Sequence, residues 1–151
     1  MEKEDLTQME QYIRKYDSDM KKLEPYIAYF EQMLGQAVSK PYDGEQGHSS
    51  MEFPVYDGTL MSFVRTAQKT VFMDRNYIYA YTKRRIKTTA AEEQHLKNAT
   101  IKDEDFINAV LSKYVMEGMR KTGVWQDAVK RGLFLGALKK HKEILDYCKR
   151  F

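Results

Sequence analysis

Cysteine is nearly missing: Cys148 stands alone in 151 residues, so no intramolecular disulfide can form and a reducing cytoplasm is the expected compartment. Long apolar runs are missing too. No segment approaches the roughly 18 apolar residues a membrane span requires, and the opening MEKEDLTQME has no apolar stretch to serve as a signal peptide. These two absences predict a cytoplasmic protein with no membrane partner. Glycine is sparse, with 8 residues, and phosphate-cradling loops are lacking. GEQGH is too short and has neither the Lys nor the Ser or Thr of a P-loop, and no GxGxxG occurs, which argues against nucleotide hydrolysis by that route. The three histidines, His48, His95 and His141, fall outside the short spacings that zinc sites use, so neither metal nor cofactor is expected.

Hydrophobic residues make up 42% and charged residues 31% of the chain, the usage of a globular domain rather than a disordered one. The length suits one domain with its own core. The net charge of +3 conceals a division. Residues 1–54 carry 11 acidic and 6 basic side chains, a net of −5, and residues 55–151 carry 11 and 19, a net of +8. Three outcomes follow: an acidic N-terminal part lying over a basic body, a basic face open to an anionic partner, or solvated helix faces.

Apolar spacing predicts helix nearly throughout. Met9, Ile13, Tyr16, Met20 and Leu23 recur at steps of three and four, and Pro25 restarts the chain as a second helix with Ile27, Phe30, Leu34 and Val38 inward. Periodicity vanishes over 39–57, where Ala37–Lys40 pairing with Met51–Val55 makes a small hairpin. Asp57 caps a third helix whose inner face is Leu60, Phe63, Val64, Ala67 and Val71. Tyr77, Tyr79 and Tyr81 alternate as in a strand, yet Tyr77, Ile78, Tyr81 and Arg85 also suit a helix, the preferred reading beside helical neighbours. TTAAEEQHLKNAT reads as a short polar helix or turn. A long helix runs from Asp103 to about Thr122, with Gly118 as a close packing contact and Gly123 as its C′ residue. Short and long helices over 125–131 and 133–147 complete the chain. The expected architecture is mainly α: a single compact domain of about six helices with a long loop or small β-hairpin near 37–55. Residues 1–22 form an N-terminal amphipathic extension and 23–151 the helical domain.

Two sets of residues stand out for function. Aromatics beside cations suit a polyanion or stacked bases, and Tyr77, Tyr81, Lys83, Arg84, Arg85 and Lys87, joined by Lys139, Lys140 and Lys142 of the last helix, are the candidate surface. The opposing reading makes the tyrosines a core wall and the cations a solvated helix end. On a helix, Tyr79 points away from Tyr77 and Tyr81. The second set is Met9, Ile13, Tyr16 and Met20, a candidate self-association stripe, since an appended amphipathic helix must bury its apolar face against a partner or the body.

Catalytic signals are weak, and no catalytic residue is assigned. His141 lies on the stripe of Phe134, Leu138 and Leu145 and is expected as a neutral core imidazole donating to a backbone carbonyl; as a base it would need Asp103 or Asp127 as orienter. His48, Ser49 and Ser50 read as a polar loop tip, lacking a GxSxG elbow. Glu92, Glu93 and His95 are half a metal site. Cys148 reads as a small buried hydrophobe.

The pieces LEPYIAYFE, FPVYDGTLMSFV, NYIYAYTKRRI, LKNA and GVWQDAVKRGLFLGALKKHKEI, in that order over about 23–147, resemble an uncharacterised bacterial family, a domain of unknown function. In that family the long helix ends in an Arg, Glu, Arg cluster followed by Cys, Asp and Gly. Here the run Met116, Glu117, Gly118, Met119, Arg120, Lys121, Thr122, Gly123 keeps only the glycine. The resemblance implies a fold and an intracellular bacterial setting, and no substrate. The functional expectation is a small non-enzymatic interaction or accessory protein with a protein partner or a second copy, and nucleic acid or another polyanion as the alternative.

Overall fold

Apolar stripes at helical spacing close around one interior, and in the computed structural model, which describes residues 2–34, 39–42 and 51–151, helices carry nearly all of it. The first, α1 (Lys3–Leu23), is followed after Glu24 by α2 (Pro25–Met33), whose first turn takes Pro25 where a missing N–H costs nothing. Strands β1 (Ser39–Tyr42) and β2 (Met51–Tyr56) pair antiparallel. Asp57 accepts a hydrogen bond from the Thr59 N–H at 2.7 Å and starts α3 (Gly58–Ala67). Then come α4 (Tyr77–Lys83), α5 (Thr89–Lys97) capped by Thr88, a 3₁₀ turn over Ile101–Asp103, α6 (Glu104–Gly118), α7 (Val124–Lys130) and α8 (Leu133–Cys148).

The mainly helical single domain is as expected. Among the described residues there are eight α-helices where about six were expected; the polar segment 89–97 closes as a helix rather than a turn, and the expected short helix after Gly123 forms over Val124–Lys130. The expected hairpin forms among the described residues, with Ser39 opposite Tyr56 and Pro41 opposite Pro54. Two prolines facing each other have no N–H to exchange, so that rung takes no ladder bond, and the register breaks directly after it. Ala37, Val38 and the His48, Ser49, Ser50 tip lie outside the described residues. Val71 is not on the inner face of α3; that helix ends at Ala67 and Val71 is exposed.

The core is built on α6 and α8, each packed against the other. Phe106, Ile107, Val110 and Leu111 of α6 meet Phe134, Leu138 and Leu145 of α8, all buried. Across α8 lies α1, with Met9, Tyr12, Tyr16, Met20 and Leu23 inward. This helix is therefore part of the core and not an appendage, and its deepest row includes Tyr12, with Ile13 only half-buried. Gly118 allows the close approach of the chain's single tryptophan: a Cβ there would lie 2.0 Å from Trp125 Nε1. Gly123 has φ 87°, the left-handed turn between α6 and α7. No helix among the described residues is long and apolar enough to cross a membrane.

Candidate interaction surface

Two polar networks lie inside the helical packing, and both are closed. The first joins three helices through His141. Asn108 of α6 donates its amide to the Tyr16 hydroxyl at 2.9 Å, so its carbonyl oxygen is the acceptor for His141 Nε2–H at 2.8 Å. His141 Nδ1 is then the acceptor for the Tyr12 hydroxyl. The imidazole is fully buried, with Phe72 4.6 Å from its ring centre, and burial, helped by the Lys15 charge, pushes its pKa down to about 3. It is a neutral core histidine as expected, but its acceptor is the Asn108 side chain rather than a backbone carbonyl. Neither Asp103 nor Asp127 orients it; they hold Arg84 and Arg131.

The second network surrounds Glu92, which is 2% exposed. Its carboxylate accepts from Tyr81 at 2.6 Å, from Tyr114 at 2.7 Å and from Arg131 at 2.6 Å, and Lys113 lies 3.6 Å away. Burial alone would raise its pKa, yet these donors and the Lys113 charge hold it below the usual carboxylate range. The same burial, with Glu92 alongside, pushes both tyrosine hydroxyls up. Arg131 reaches on to Glu93 and Asp127, so the cluster ties α5, α6 and α7 together. His95 stands apart, exposed, and no group of three His, Cys, Asp or Glu able to hold a metal occurs among the described residues.

The candidate polyanion residues are dispersed by the fold. Tyr77 and Tyr81 are buried with their hydroxyls on Glu117 and Glu92, so their ring faces are not open to stacking. Lys83 is on Asp105, and Arg84 grips Asp105 through two bonds and Asp103 through a third, which together hold Asp105 down to about 2 against the cost of its burial. Lys139 faces Glu31, Lys140 faces Glu143 and the Lys97 carbonyl, and Lys142 faces Glu24 and Asp146. Arg85 and Lys87 remain exposed with no carboxylate partner among the described residues. Lys139, Lys142 and Lys149 take Glu31 of α2, Glu24 between the two helices and Asp17 of α1, so the acidic N-terminal part lies over the basic body.

Of the candidate self-association stripe, Tyr16 and Met20 are sealed in the core, while Met9 and Ile13 line a surface. That surface is a hollow of mixed lining, with Lys140, Glu143 and Arg150 in one part and Glu10 and Lys149 in the other beside its apolar side chains. A cavity of about 390 Å³ lies between Met9, Ile101, Ile144 and Tyr147, and a second of about 340 Å³ between Leu6, Met9, Ile13 and Phe151. Tyr147 and Phe151, in edge contact at 5.2 Å, form the ridge between them. Leu6, Tyr147 and Phe151 are exposed large apolar side chains within one contiguous patch, the pattern that marks an interaction site. Sequence reading missed Leu6, Ile101 and Tyr147 because none belongs to a strong helical stripe; only their excess over the core positions of α1 and α8 could have signalled them. It also missed Tyr12, Asn108 and Arg131, whose pairings exist only through the tertiary fold. No protein-family model, curated protein or solved structure matches this chain.

Proposed function

We propose that this protein is a small, non-enzymatic interaction protein whose partner docks on the hollow between the first turns of α1, the 3₁₀ turn and the end of α8. The observation that carries this reading is the pair of adjoining cavities, about 390 and 340 Å³, with Leu6, Tyr147 and Phe151 standing exposed at their rims. A binding role is supported further by where the buried titratable groups sit: His141 and Glu92 are engaged in closed networks inside the helical packing. The ordered resemblance to a bacterial family adds a cytoplasmic setting to this proposal and no substrate. The test is a photo-crosslinking residue placed at Tyr147 and, as control, at exposed Lys130 on α7, with irradiation in the cell. A discrete adduct from position 147 alone is expected. Equal or absent adducts at the two positions would refute the reading.

A further inference from the structure

We infer that the first turns of α1, residues 3–14, are an acid-operated lid over the face of α8 that carries His141 and Cys148, and that the lid lifts when His141 takes a proton at Nδ1. Among the described residues, one polar bond ties these turns to the rest of the molecule: the Tyr12 hydroxyl donates to His141 Nδ1. The other polar ties of α1 to the body lie further along, with Lys15 on Glu104 at 3.7 Å, Tyr16 on Asn108 at 2.9 Å, Asp17 on Lys149 and Asp19 on the Val71 N–H at 2.8 Å. Glu2, at the N-cap, gives no side-chain bond to the free N–H groups, and only Met9 and Tyr12 of this stretch are buried, against Tyr16, Met20 and Leu23 in the turns that follow. Residues 3–14 are thus the part of α1 that can leave on its own.

The ring beneath the lid resists a proton only while it is covered. Tyr12 and Tyr16 of α1, Asn108 of α6 and Phe72 pack against it, and none of them brings a carboxylate. The charge that acts on it is the Lys15 ammonium, which lies 5.1 Å from the Tyr16 ring centre and is paired with Glu104 of α6. On α8 itself, Lys140 is held by Glu143, and Lys142 by Glu24 and Asp146. A proton on the closed ring would therefore be a charge buried beside a cation and without a counter-ion. Once Tyr12 is withdrawn, water reaches Nδ1 and the ring titrates as an ordinary imidazole, near 6.5 rather than about 3.

Cys148 lies about two turns beyond His141 on the same face of α8, is 2% exposed, and shares the cavity of about 340 Å³ with Leu6, Met9 and Ile13 of the lid. Lifting therefore opens the imidazole and the thiol together. It also removes the α1 wall of that cavity, so the same step in acid releases a partner docked on this hollow. That consequence rests on the interaction reading above, whereas the lid itself does not.

Thiol labelling of the full chain tests the lid with no partner present. A pyridyl disulfide, which reacts with thiols in acid as well, is added at pH 7.5 and 5.0, and each rate is divided by that of an unfolded peptide spanning residues 144–151. Opening binds a proton that the closed form refuses, so the normalised rate should rise about thirtyfold between the two pH values. It should depend little on low urea, because little surface is exposed, and it should not rise with acid in His141→Gln. Tyr12→Phe keeps the ring in place but removes the polar bond that holds the lid, and should raise the rate about fivefold already at pH 7.5. Amide hydrogen exchange should show 8–14 less protected than 16–23 at both pH values, with acid lowering the protection of 8–14 by the same factor as it raises labelling. A labelling rate and an exchange pattern that ignore pH overturn the inference. So do a rise that carries the urea dependence of complete unfolding, equal protection along the whole of α1, or an unchanged rate in Tyr12→Phe.

Discussion

Mild acid should weaken this fold through one side chain, His141. The imidazole is fully buried and neutral, donating at Nε2 to Asn108 and accepting at Nδ1, so the folded protein takes up its proton only near pH 3 while the unfolded chain takes one up near 6.5. Between those values the unfolded state binds the extra proton, so stability falls as pH falls, by about 1.4 kcal/mol per pH unit below about 6.5. At pH 5 the loss is about 2 kcal/mol, a large share of the roughly 5–15 kcal/mol that holds a domain folded. Above about pH 5 the carboxylates add nothing to that slope. Glu92, Asp103 and Asp105 are held below their ordinary values of 4.5, 3.8 and 3.8, so what they contribute is present above those values and lost only at lower pH. Urea unfolding at pH 7.5, 6.5, 5.5 and 5.0 measures the slope directly. His141→Gln keeps a donor and an acceptor near Asn108 and Tyr12 but cannot ionise; it should lose about 1–3 kcal/mol at pH 7.5 through imperfect geometry and be nearly flat across the window. A variant with the wild-type slope would refute this account of the imidazole.

Three other perturbations probe the packing. Arg131→Met leaves the Glu92 carboxylate buried with its two tyrosines and without its guanidinium, which should cost about 3 kcal/mol and move the acid midpoint upward as the Glu92 pKa rises; a loss within error of zero in urea titrations would contradict it. Arg85→Gly relieves the left-handed strain and should stabilise by about 0.5–1 kcal/mol, read as a higher melting temperature at low micromolar concentration; a lower one would contradict the strain argument. Gly118→Ala drives a Cβ into the indole of Trp125 and should break its bond to the Val115 carbonyl, costing about 1–3 kcal/mol with a shift in the emission of the single tryptophan; unchanged emission and stability would show that the contact yields freely.

The helices were legible where a stripe of apolar residues meets a cap. Asp57 and the row Leu60, Phe63, Val64, Ala67 carry both signals, and α3 forms there. Val71 fitted the same row but falls beyond Gln68, where the chain leaves the helix axis, so periodicity alone placed it wrongly. Tyr77–Lys83 shows the opposite case. Alternating tyrosines suit a strand locally, yet the helix lets Tyr77 and Tyr81 share a buried face on α6 while Tyr79 points out, as the spacing required. What could not be read were pairings across long separations. Tyr12 meets His141 across 129 positions and Arg131 meets Glu92 across 39, and nothing in either neighbourhood of the sequence announces its partner. The hollow was equally hidden, since Leu6, Ile101 and Tyr147 become one surface only after α1, the 3₁₀ turn and α8 are brought together.

The division of charge shows how a sequence feature changes meaning once a topology is imposed. A net of −5 over residues 1–54 and +8 over the rest suggests a basic face awaiting an anion. In the fold, α1 and α2 lie on α8, and the three lysines 139, 142 and 149 find Glu31, Glu24 and Asp17. Exposed pairs of this kind contribute at most about 1 kcal/mol each, too little to set the position of a 21-residue helix. The Met9, Tyr12, Tyr16, Met20, Leu23 row sets it, since burying side chains of this size contributes about 1.5–3 kcal/mol apiece, and the ion pairs follow. Apolar burial therefore decides which charges are neutralised within the chain.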